Sequence, residues 1–278
     1  MLNTDVVKKI ESFVHSKPRS VDEVAKHIGK NWRTADRYIS EIEKEHSTIS
    51  TRVFREGSRG ALKIVFWSSM ENSGGTVFQD ILEKELLNNK YKQDFSAFDI
   101  FQYVSDKNKI ANVEEAKQES YTKLKEFSDV LLSTKRELII FSGNLSFINL
   151  KNKDIDLYST IETLVKRGVK IKIICRVDFV GAANIEKILA LNFKYGKELI
   201  EIKHREQPLR ANIIDGKLIR MKEVKNSTGK INELGKQMFI FYTIKDSLWA
   251  SWLSKVFWKM FSTSIDAQRR LDELKKLK

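Results

Sequence analysis

Residues 20–45, SVDEVAKHIGKNWRTADRYISEIEKE, decide the fold of the N-terminal part of the chain. Ser20, followed three residues later by Glu23, has the spacing of a capping box and predicts the start of a helix. Apolar residues then recur at helical spacing until Gly29, which supplies a break. Asn31 is suited to cap a second helix. The stretch therefore predicts two short helices joined by a tight turn.

The second predicted helix has two different faces. Ala35, Ile39 and Ile42 point inward, which leaves Trp32, Arg33, Arg37 and Ser40 outward. A tight turn followed by a helix with cations at its N-terminal end is what docking into the DNA major groove requires. We therefore expect this helix to contact DNA.

A hairpin is predicted directly after the second helix. Residues 50–55 alternate as a strand, residues 56–60 form a turn, and residues 61–67 form a second strand. This order predicts a winged helix-turn-helix. The predicted DNA-binding residues are Lys30, Asn31, Trp32, Arg33, Thr34 and Arg37 in the helical part and Arg52, Arg55, Arg59 and Lys63 in the hairpin. About the first quarter of the chain resembles the DNA-binding domain of archaeal and bacterial transcription regulators. The alternative is a small protein-contact domain with solvated basic residues.

Composition supports a polyanionic partner. The chain has 278 residues, with 50 Lys and Arg against 37 Asp and Glu, and a formal net charge of +13. Such an excess attracts nucleic acid first and anionic membrane surfaces second. With 41% hydrophobic residues and 2 prolines, the chain is expected to fold around a sizeable core.

Several classes of site are disfavoured. The single cysteine, Cys175, excludes an intramolecular disulfide and a cysteine-rich zinc site, and the four histidines lack metal-ligand spacing. We therefore predict no metal and no cofactor. Before the first helix no signal peptide is recognised, and no apolar run approaches about 18 residues, so we predict a cytoplasmic protein with no membrane span.

Four segments are predicted along the chain. They are a winged helix-turn-helix over 1–67, a linker and helical, dimerising segment over 68–134, an α/β domain over 135–265 and a charged tail over 266–278. Residues 68–75, SSMENSGG, are polar and glycine-rich and predict the linker. A long helix is predicted from Val113 to Thr134. Residues 90–112 give no clear prediction.

From Arg136 onward, short apolar strands alternate with helices. Strands are predicted over 138–142, 169–177, 199–204, 211–214, 218–221 and 237–244, and helices over 155–167, 184–193 and 246–261. This order predicts an α/β sheet covered on both faces, and an α+β fold overall. The aromatic helix over 246–261 has three interpretations: a core helix, a dimer face or a membrane-surface helix. Its two lysines favour packing inside the domain or across a dimer.

The second half of the chain resembles the phospholipase D superfamily. The resemblance lies in the strand 138–142, the turn LVKRGV over 164–169 and the hairpin PLRANIIDGKLIRM over 208–221. The same arrangement closes the sugar-responsive TrmB-like transcription regulators, which also begin with a winged helix. The resemblance implies a phospholipase-D-like domain that serves for effector binding or dimerisation.

The catalytic motif of that superfamily is missing. Active members use a His, a Lys two residues later and an Asp after four more. If Asp215 fills the Asp position, Pro208 and Arg210 occupy the other two, and proline is no nucleophile. We therefore predict no enzyme activity and no catalytic residues. Asp215-Gly216 is explained more simply as a hairpin turn.

The sequence thus predicts a sequence-specific DNA-binding transcription regulator that acts on double-stranded DNA as a homodimer. Ser142, Asn144 and Arg210 are the candidate residues for a small-molecule effector, because ligand loops follow the carboxyl ends of strands in α/β sheets. Two alternatives remain open. One is a phospholipase-D-like nuclease or phosphodiesterase, and the other is a winged-helix scaffold that recruits protein partners.

Overall fold

The computed structural model describes residues 4–46, 48–55, 61–67, 76–115, 121–226 and 237–277. Its N-terminal unit holds three helices and three strands. In chain order they are α1 (Thr4–Ser16), β1 (Arg19–Ser20), α2 (Val21–Ile28), α3 (Trp32–Glu45), β2 (Ile49–Arg55) and β3 (Ala61–Trp67). The predicted linker, 68–75, and the hairpin tip, 56–60, lie outside the described residues.

The local signals at α2 and α3 act as the sequence predicts. Ser20 Oγ accepts a 3.2 Å hydrogen bond from the Glu23 amide, and the Glu23 carboxylate accepts one of 2.7 Å from the Ser20 amide. Gly29 ends α2 with a φ of 66°, a conformation that glycine adopts without strain. Asn31 Oδ1 then accepts a 2.9 Å bond from the Thr34 amide and caps α3. The predicted helix, turn and helix are confirmed.

The three strands of the N-terminal unit form one antiparallel sheet in the order β1-β3-β2. Its two faces are both buried, but against different parts of the chain. Ile49 and Val65 pack with the helices of the unit. Phe54, Leu62 and Ile64 instead belong to the main core of the larger unit. The hairpin is therefore held between the small helical core and the rest of the molecule.

The larger unit is built on an eight-stranded mixed sheet in the order β11-β7-β6-β5-β8-β9-β10-β4. β5, β6 and β7 run parallel and the other pairs run antiparallel. Its strands are β4 (Lys109–Glu115), β5 (Glu137–Phe141), β6 (Lys170–Cys175), β7 (Ile200–His204), β8 (Ala211–Ile214), β9 (Leu218–Lys225), β10 (Met238–Ile244) and β11 (Ile265–Asp266). Its helices are α4 (Thr76–Asn88), α5 (Ala97–Phe101), α6 (Tyr121–Leu132), α7 (Leu157–Lys166), α8 (Ala182–Tyr195), α9 (Ser247–Ser262) and α10 (Ala267–Lys275).

Helices cover both faces of this sheet, as predicted. Along β5, Leu138 and Ile140 enter the cluster that contains α7 and α8, whereas Ile139 and Phe141 enter the cluster that contains α9. The alternation follows from the two-residue period of a strand. The α/β, α+β class is confirmed. In the described part of the chain, no helix has the length and hydropathy that a bilayer span needs.

The aromatic helix α9 is a core helix. Trp249, Trp252 and Phe257 are at most 7% exposed and lie in the main core. Phe257 stands edge-on to Phe141 of β5, with ring centroids 5.2 Å apart. The breadth of apolar surface on α9 is thus explained by packing against the sheet.

The long helix predicted from Val113 to Thr134 is wrong in its first part. Residues 109–115 form β4, which pairs along its whole length with β10. The described helix begins only at Tyr121, and residues 116–120 are outside the described part. At residues 113–115 strand pairing, a long-range contact that local propensity does not contain, overrides the predicted helix. The tail also folds: α10 buries Ala267, Leu271 and Leu274.

Candidate nucleic-acid interface and ligand cleft

The N-terminal end of α3 is an exposed cationic surface. Ala35, Ile39 and Ile42 are 0% exposed and fix the helix on the N-terminal core. The opposite side presents the exposed side chains of Lys30, Asn31, Arg33 and Arg37, with Thr34 half-buried beside them. We call this set the α3 surface. Nothing else in the described chain covers it.

Trp32, at the first turn of α3, is half-buried and packs on the N-terminal core. Its ring therefore contributes to holding α3 on the rest of the unit. Trp32 thus has a structural role in the N-terminal unit, as does Asn31, whose side chain caps α3.

Arg52, predicted to face DNA, lies against the larger unit instead. Its Nη1 is 3.3 Å from Asp106 Oδ1, and its guanidinium stands 4.9 Å from the centre of the Phe101 ring. The physical reason is register. Arg52 pairs with Ile64 across the hairpin, so it shares the face that Phe54 and Ile64 bury in the main core.

Lys63 is occupied within the N-terminal unit. Its Nζ lies 2.7 Å from Asp36 Oδ1 on α3, and the ion pair ties the hairpin to that helix. Two of the four hairpin cations predicted to lie near DNA, Arg52 and Lys63, are therefore paired with carboxylates of the described chain. Of the other two hairpin residues, the Arg55 side chain and all of Arg59 lie outside the described residues.

A cleft opens where β5 and β6 end and β8 begins. It is partly open to solvent, and the described residues that line it are Lys90, Tyr91, Ser142, Gly143, Arg176, Arg205, Glu206, Gln207 and Arg210. We call it the basic cleft. The structure thus brings together two of the three predicted effector residues, Ser142 and Arg210. The third, Asn144, is not in the described lining: its backbone carbonyl accepts a 3.1 Å hydrogen bond from the Asn184 side chain of α8, and its Oδ1 accepts one of 3.3 Å from the Ser146 amide.

Arg210 is held by backbone contacts. Its Nη1 donates to the carbonyls of Leu209, at 2.8 Å, and Gln207, at 3.3 Å. The guanidinium lies on Gly143, where an added Cβ would come within 2.9 Å of Nη2. Burial lowers the pKa of Arg210, and the charge of Arg176 lowers it further.

Sequence reasoning missed Lys90, Arg176 and Arg205 in this cleft. Arg176 directly follows the carboxyl end of β6, the position at which α/β sheets place ligand groups. The same rule that selected Ser142 would have selected it. Lys90 comes from the segment after α4, and no local signal in the sequence points to its position.

Asp215 is a turn residue at the other end of the sheet. It adopts a φ of 50° between β8 and β9. Its carboxylate accepts hydrogen bonds from the amides of Lys135, Arg136 and Glu137, at 2.8 to 3.0 Å. Because Glu137 begins β5 and Ser142 follows its end, the whole strand separates Asp215 from the basic cleft. Asp215 and Arg210 do not form one site.

The remaining titratable candidates are structural. Cys175 is buried, and burial raises the pKa of its thiol to about 12. His204 Nδ1 accepts a 2.8 Å hydrogen bond from the Val177 amide. No cluster of His, Cys, Asp and Glu suited to a metal ion occurs among the described residues.

No family model matches the chain, and no curated protein matches it in sequence. Similar solved structures include NUC of Salmonella typhimurium, a phospholipase D family member, at 12% identity, TM-score 0.40, and coverage of 57% of this chain and 97% of that one. TrmBL2, an archaeal chromatin protein with a novel mode of DNA binding, has 14% identity, TM-score 0.39, and coverage of 95% and 94%. Phosphatidylserine synthase of Haemophilus influenzae has 11% identity, TM-score 0.38, and coverage of 76% and 56%. Similarity at this level carries no function over to the chain.

Proposed function

We propose that this chain is a sequence-specific DNA-binding transcription regulator. Residues 1–67 are the proposed winged helix-turn-helix, and the α3 surface is its recognition surface. The observation that carries the proposal is the position of Lys30, Arg33 and Arg37: they stand exposed at the N-terminal end of a helix whose other side is fully buried. A helix presented in this way fits a major groove.

The residues of the α3 surface are proposed to make different kinds of contact with DNA. Arg33 and Arg37 are suited to guanine, because a guanidinium donates two parallel hydrogen bonds to its major-groove edge. Asn31 already uses Oδ1 to cap α3, which leaves its amide nitrogen as a donor. Lys30 is suited to phosphate, and that contact makes binding depend on salt. Trp32 and Thr34 fix the start of the helix beside them.

The hairpin has a smaller proposed part in DNA binding than its sequence suggests. Arg52 and Lys63 are paired with Asp106 and Asp36, so they are left out of the proposed interface. Arg55 and Arg59 are still predicted to contact the DNA backbone, because they belong to the tip of the predicted hairpin, the part of a winged helix that reaches DNA beside the recognition helix.

The larger unit is proposed to be a phospholipase-D-like regulatory domain without phosphodiesterase activity. Among the described residues that line the basic cleft there is no histidine, and Pro208 and Arg210 stand where the superfamily motif needs His and Lys. Since β4 pairs with β10, we place residues 109–115 in this domain. The start of this domain therefore moves upstream of residue 135. A homodimer and a small effector bound near Ser142 and Arg210 complete the proposal.

The experiment is selection of duplexes from a random-sequence DNA library by the purified full chain. We expect enrichment of one motif, and a two-fold symmetric motif supports the homodimer. Retention of DNA without enrichment at any position contradicts sequence-specific regulation. Cleavage of the selected duplexes contradicts the absence of phosphodiesterase activity.

A further inference from the structure

We infer that the basic cleft is a binding site for a small multiply charged oxyanion, of the class of inorganic phosphate and phosphomonoesters. The inference deepens the effector part of the proposed function and rests on that part alone. It concerns the residues that line the cleft, and it stands or falls without reference to the α3 surface.

The first argument is charge. Lys90, Arg176, Arg205 and Arg210 line the cleft. Among the described residues the lining has one carboxylate, Glu206, and Asp178 pairs with Arg176 beside it. These residues come from separate places: the segment after α4, the end of β6, the segment after β7 and the residue before β8. Only the tertiary fold brings them together. A concave surface lined mainly by one sign of charge concentrates ions of the other sign.

The second argument is that the positive charge of Arg210 has no carboxylate partner among the described residues. Within the described part of the chain, no carboxylate lies within ion-pair distance of its guanidinium, and its only hydrogen bonds run from Nη1 to two carbonyls. Burial and the nearby charge of Arg176 both disfavour this cation and lower its pKa. A buried charge without a counter-charge is costly, and an anion bound beside it removes that cost.

The third argument is preorganisation. Arg205 is held by hydrogen bonds to the Leu87 carbonyl, at 3.3 Å, and to Thr263 Oγ1, at 3.0 Å. Arg176 is oriented by Asp178, 2.6 Å from its Nε. Guanidinium groups that are already fixed lose little freedom when they bind an anion. Their planar donors match the oxygens of a phosphate.

The fourth argument is the absent side chain of Gly143. An added Cβ would lie 2.9 Å from Arg210 Nη2 and 3.2 Å from its Nε. The guanidinium therefore lies directly on the backbone at the carboxyl end of β5. An alanine here would displace the guanidinium without removing any charge, which makes Gly143→Ala a selective probe of its position.

Size and lining fix the class of ligand. The cleft is small and partly open to solvent: only about 20 Å³ of it is free to the centre of a water-sized sphere, so it does not enclose a drug-sized ligand. Among the described residues that line it, Tyr91 carries the one aromatic ring. A small polar anion with little apolar body fits these walls.

The test is isothermal titration calorimetry of the full chain, without DNA, in a low-salt chloride buffer. Inorganic phosphate and glycerol 3-phosphate are titrated into the wild type, Arg210→Met, Gly143→Ala and, as a control for general charge, Lys217→Ala. Lys217 is an exposed lysine in the β8–β9 turn. Circular dichroism melts establish that each variant is folded before it is titrated.

We expect saturable binding of phosphate to the wild type and to Lys217→Ala, and affinity at least about tenfold weaker in Arg210→Met and Gly143→Ala. Tighter binding of glycerol 3-phosphate would identify a phosphomonoester as the ligand, and equal or weaker binding would identify free phosphate. No saturable binding to the wild type below about 10 mM of either probe, or equal affinity in Arg210→Met, overturns the inference. Because DNA is absent, neither result bears on DNA recognition by α3.

Discussion

The guanidinium of Arg52 lies 3.3 Å from the carboxylate of Asp106 and joins the N-terminal hairpin to the larger unit. The same guanidinium stands over the ring of Phe101. Around this contact, Phe54 and Phe98 meet edge to face with centroids 5.9 Å apart. The hairpin thus packs between the helices of the N-terminal unit and the larger unit. The α3 surface stays exposed and available to a partner.

Replacement of Arg52 by methionine tests this division of roles. The variant loses the ion pair with Asp106 and the contact with the Phe101 ring, so we expect a lower melting temperature. DNA affinity should stay within about twofold of the wild type, because Arg52 is not on the α3 surface. Fluorescence anisotropy with a selected duplex measures the affinity. A clear loss of affinity, with a salt slope smaller by about 1, would instead mark Arg52 as a phosphate contact.

Replacement of Asp215 by glycine tests its role as a turn residue. Glycine accepts the φ of 50° but removes the acceptor for the amides of Lys135, Arg136 and Glu137. We expect the free energy of unfolding at pH 7 to fall by roughly 1–2 kcal/mol, a value reduced by the partial exposure of the carboxylate. Urea denaturation measures it. Asp215→Asn, which keeps one acceptor and tolerates positive φ, should lose less.

Asp215 should also make the stability of the protein depend on pH. Burial opposes ionisation of Asp215, but the three backbone amides outweigh it, and its pKa lies below the ordinary value. Its stabilisation is therefore present above about pH 4 and is lost as pH falls through the lowered pKa of the folded state. The unfolding free energies of wild type and Asp215→Gly should converge in acid. A difference that stays constant down to pH 2 would contradict the assignment.

Asp99 gives a pH dependence of the opposite sign. This carboxyl is 4% exposed in α5, and burial, with the charge of Glu223, raises its pKa to about 8. A raised pKa means that the folded state keeps a proton that the unfolded state releases. Stability should therefore fall as pH rises from about 4 to 8.

Asp99→Asn removes this titration and keeps an acceptor for the Ser96 amide that Asp99 caps. Relative to wild type, the variant should gain more than about 1 kcal/mol of unfolding free energy between pH 5 and pH 8. Urea denaturation at the two pH values measures the gain. If the difference in unfolding free energy between Asp99→Asn and wild type is the same at pH 5 and pH 8, Asp99 is already ionised at pH 5 and the prediction is wrong.

The sequence correctly predicted those parts of the fold that depend on interactions between residues close together in the chain. The capping box of Ser20 and Glu23 and the cap at Asn31 are short-range interactions, and they appear where the sequence placed them. The alternation of β5 between two cores follows equally from its own residues. β4 was missed because its strand state depends on pairing with β10, more than a hundred residues away.

The candidate site residues also divide into those that local sequence predicted correctly and those whose position depends on tertiary contacts. The helical spacing placed Arg33 and Arg37 outward on α3, and both are exposed. Arg52 was assigned to DNA because it is a basic residue of the predicted hairpin. Its partners, Asp106 and Phe101, belong to another unit. In the basic cleft, Ser142 and Arg210 were predicted, and Arg176 could have been predicted from its position after β6. Lys90 and Arg205 reach the cleft through tertiary packing and could not.

The central claim is that the α3 surface reads DNA. Its most direct test is fluorescence anisotropy of Arg33→Ala and Arg37→Ala on a selected duplex and on a scrambled one, at several salt concentrations, with Lys217→Ala as the charge control. We predict that each α3 variant loses about 1–3 kcal/mol of binding free energy on the selected duplex and loses discrimination against the scrambled one. Lys217→Ala should bind as the wild type does. Unchanged affinity and discrimination in both α3 variants would contradict the account.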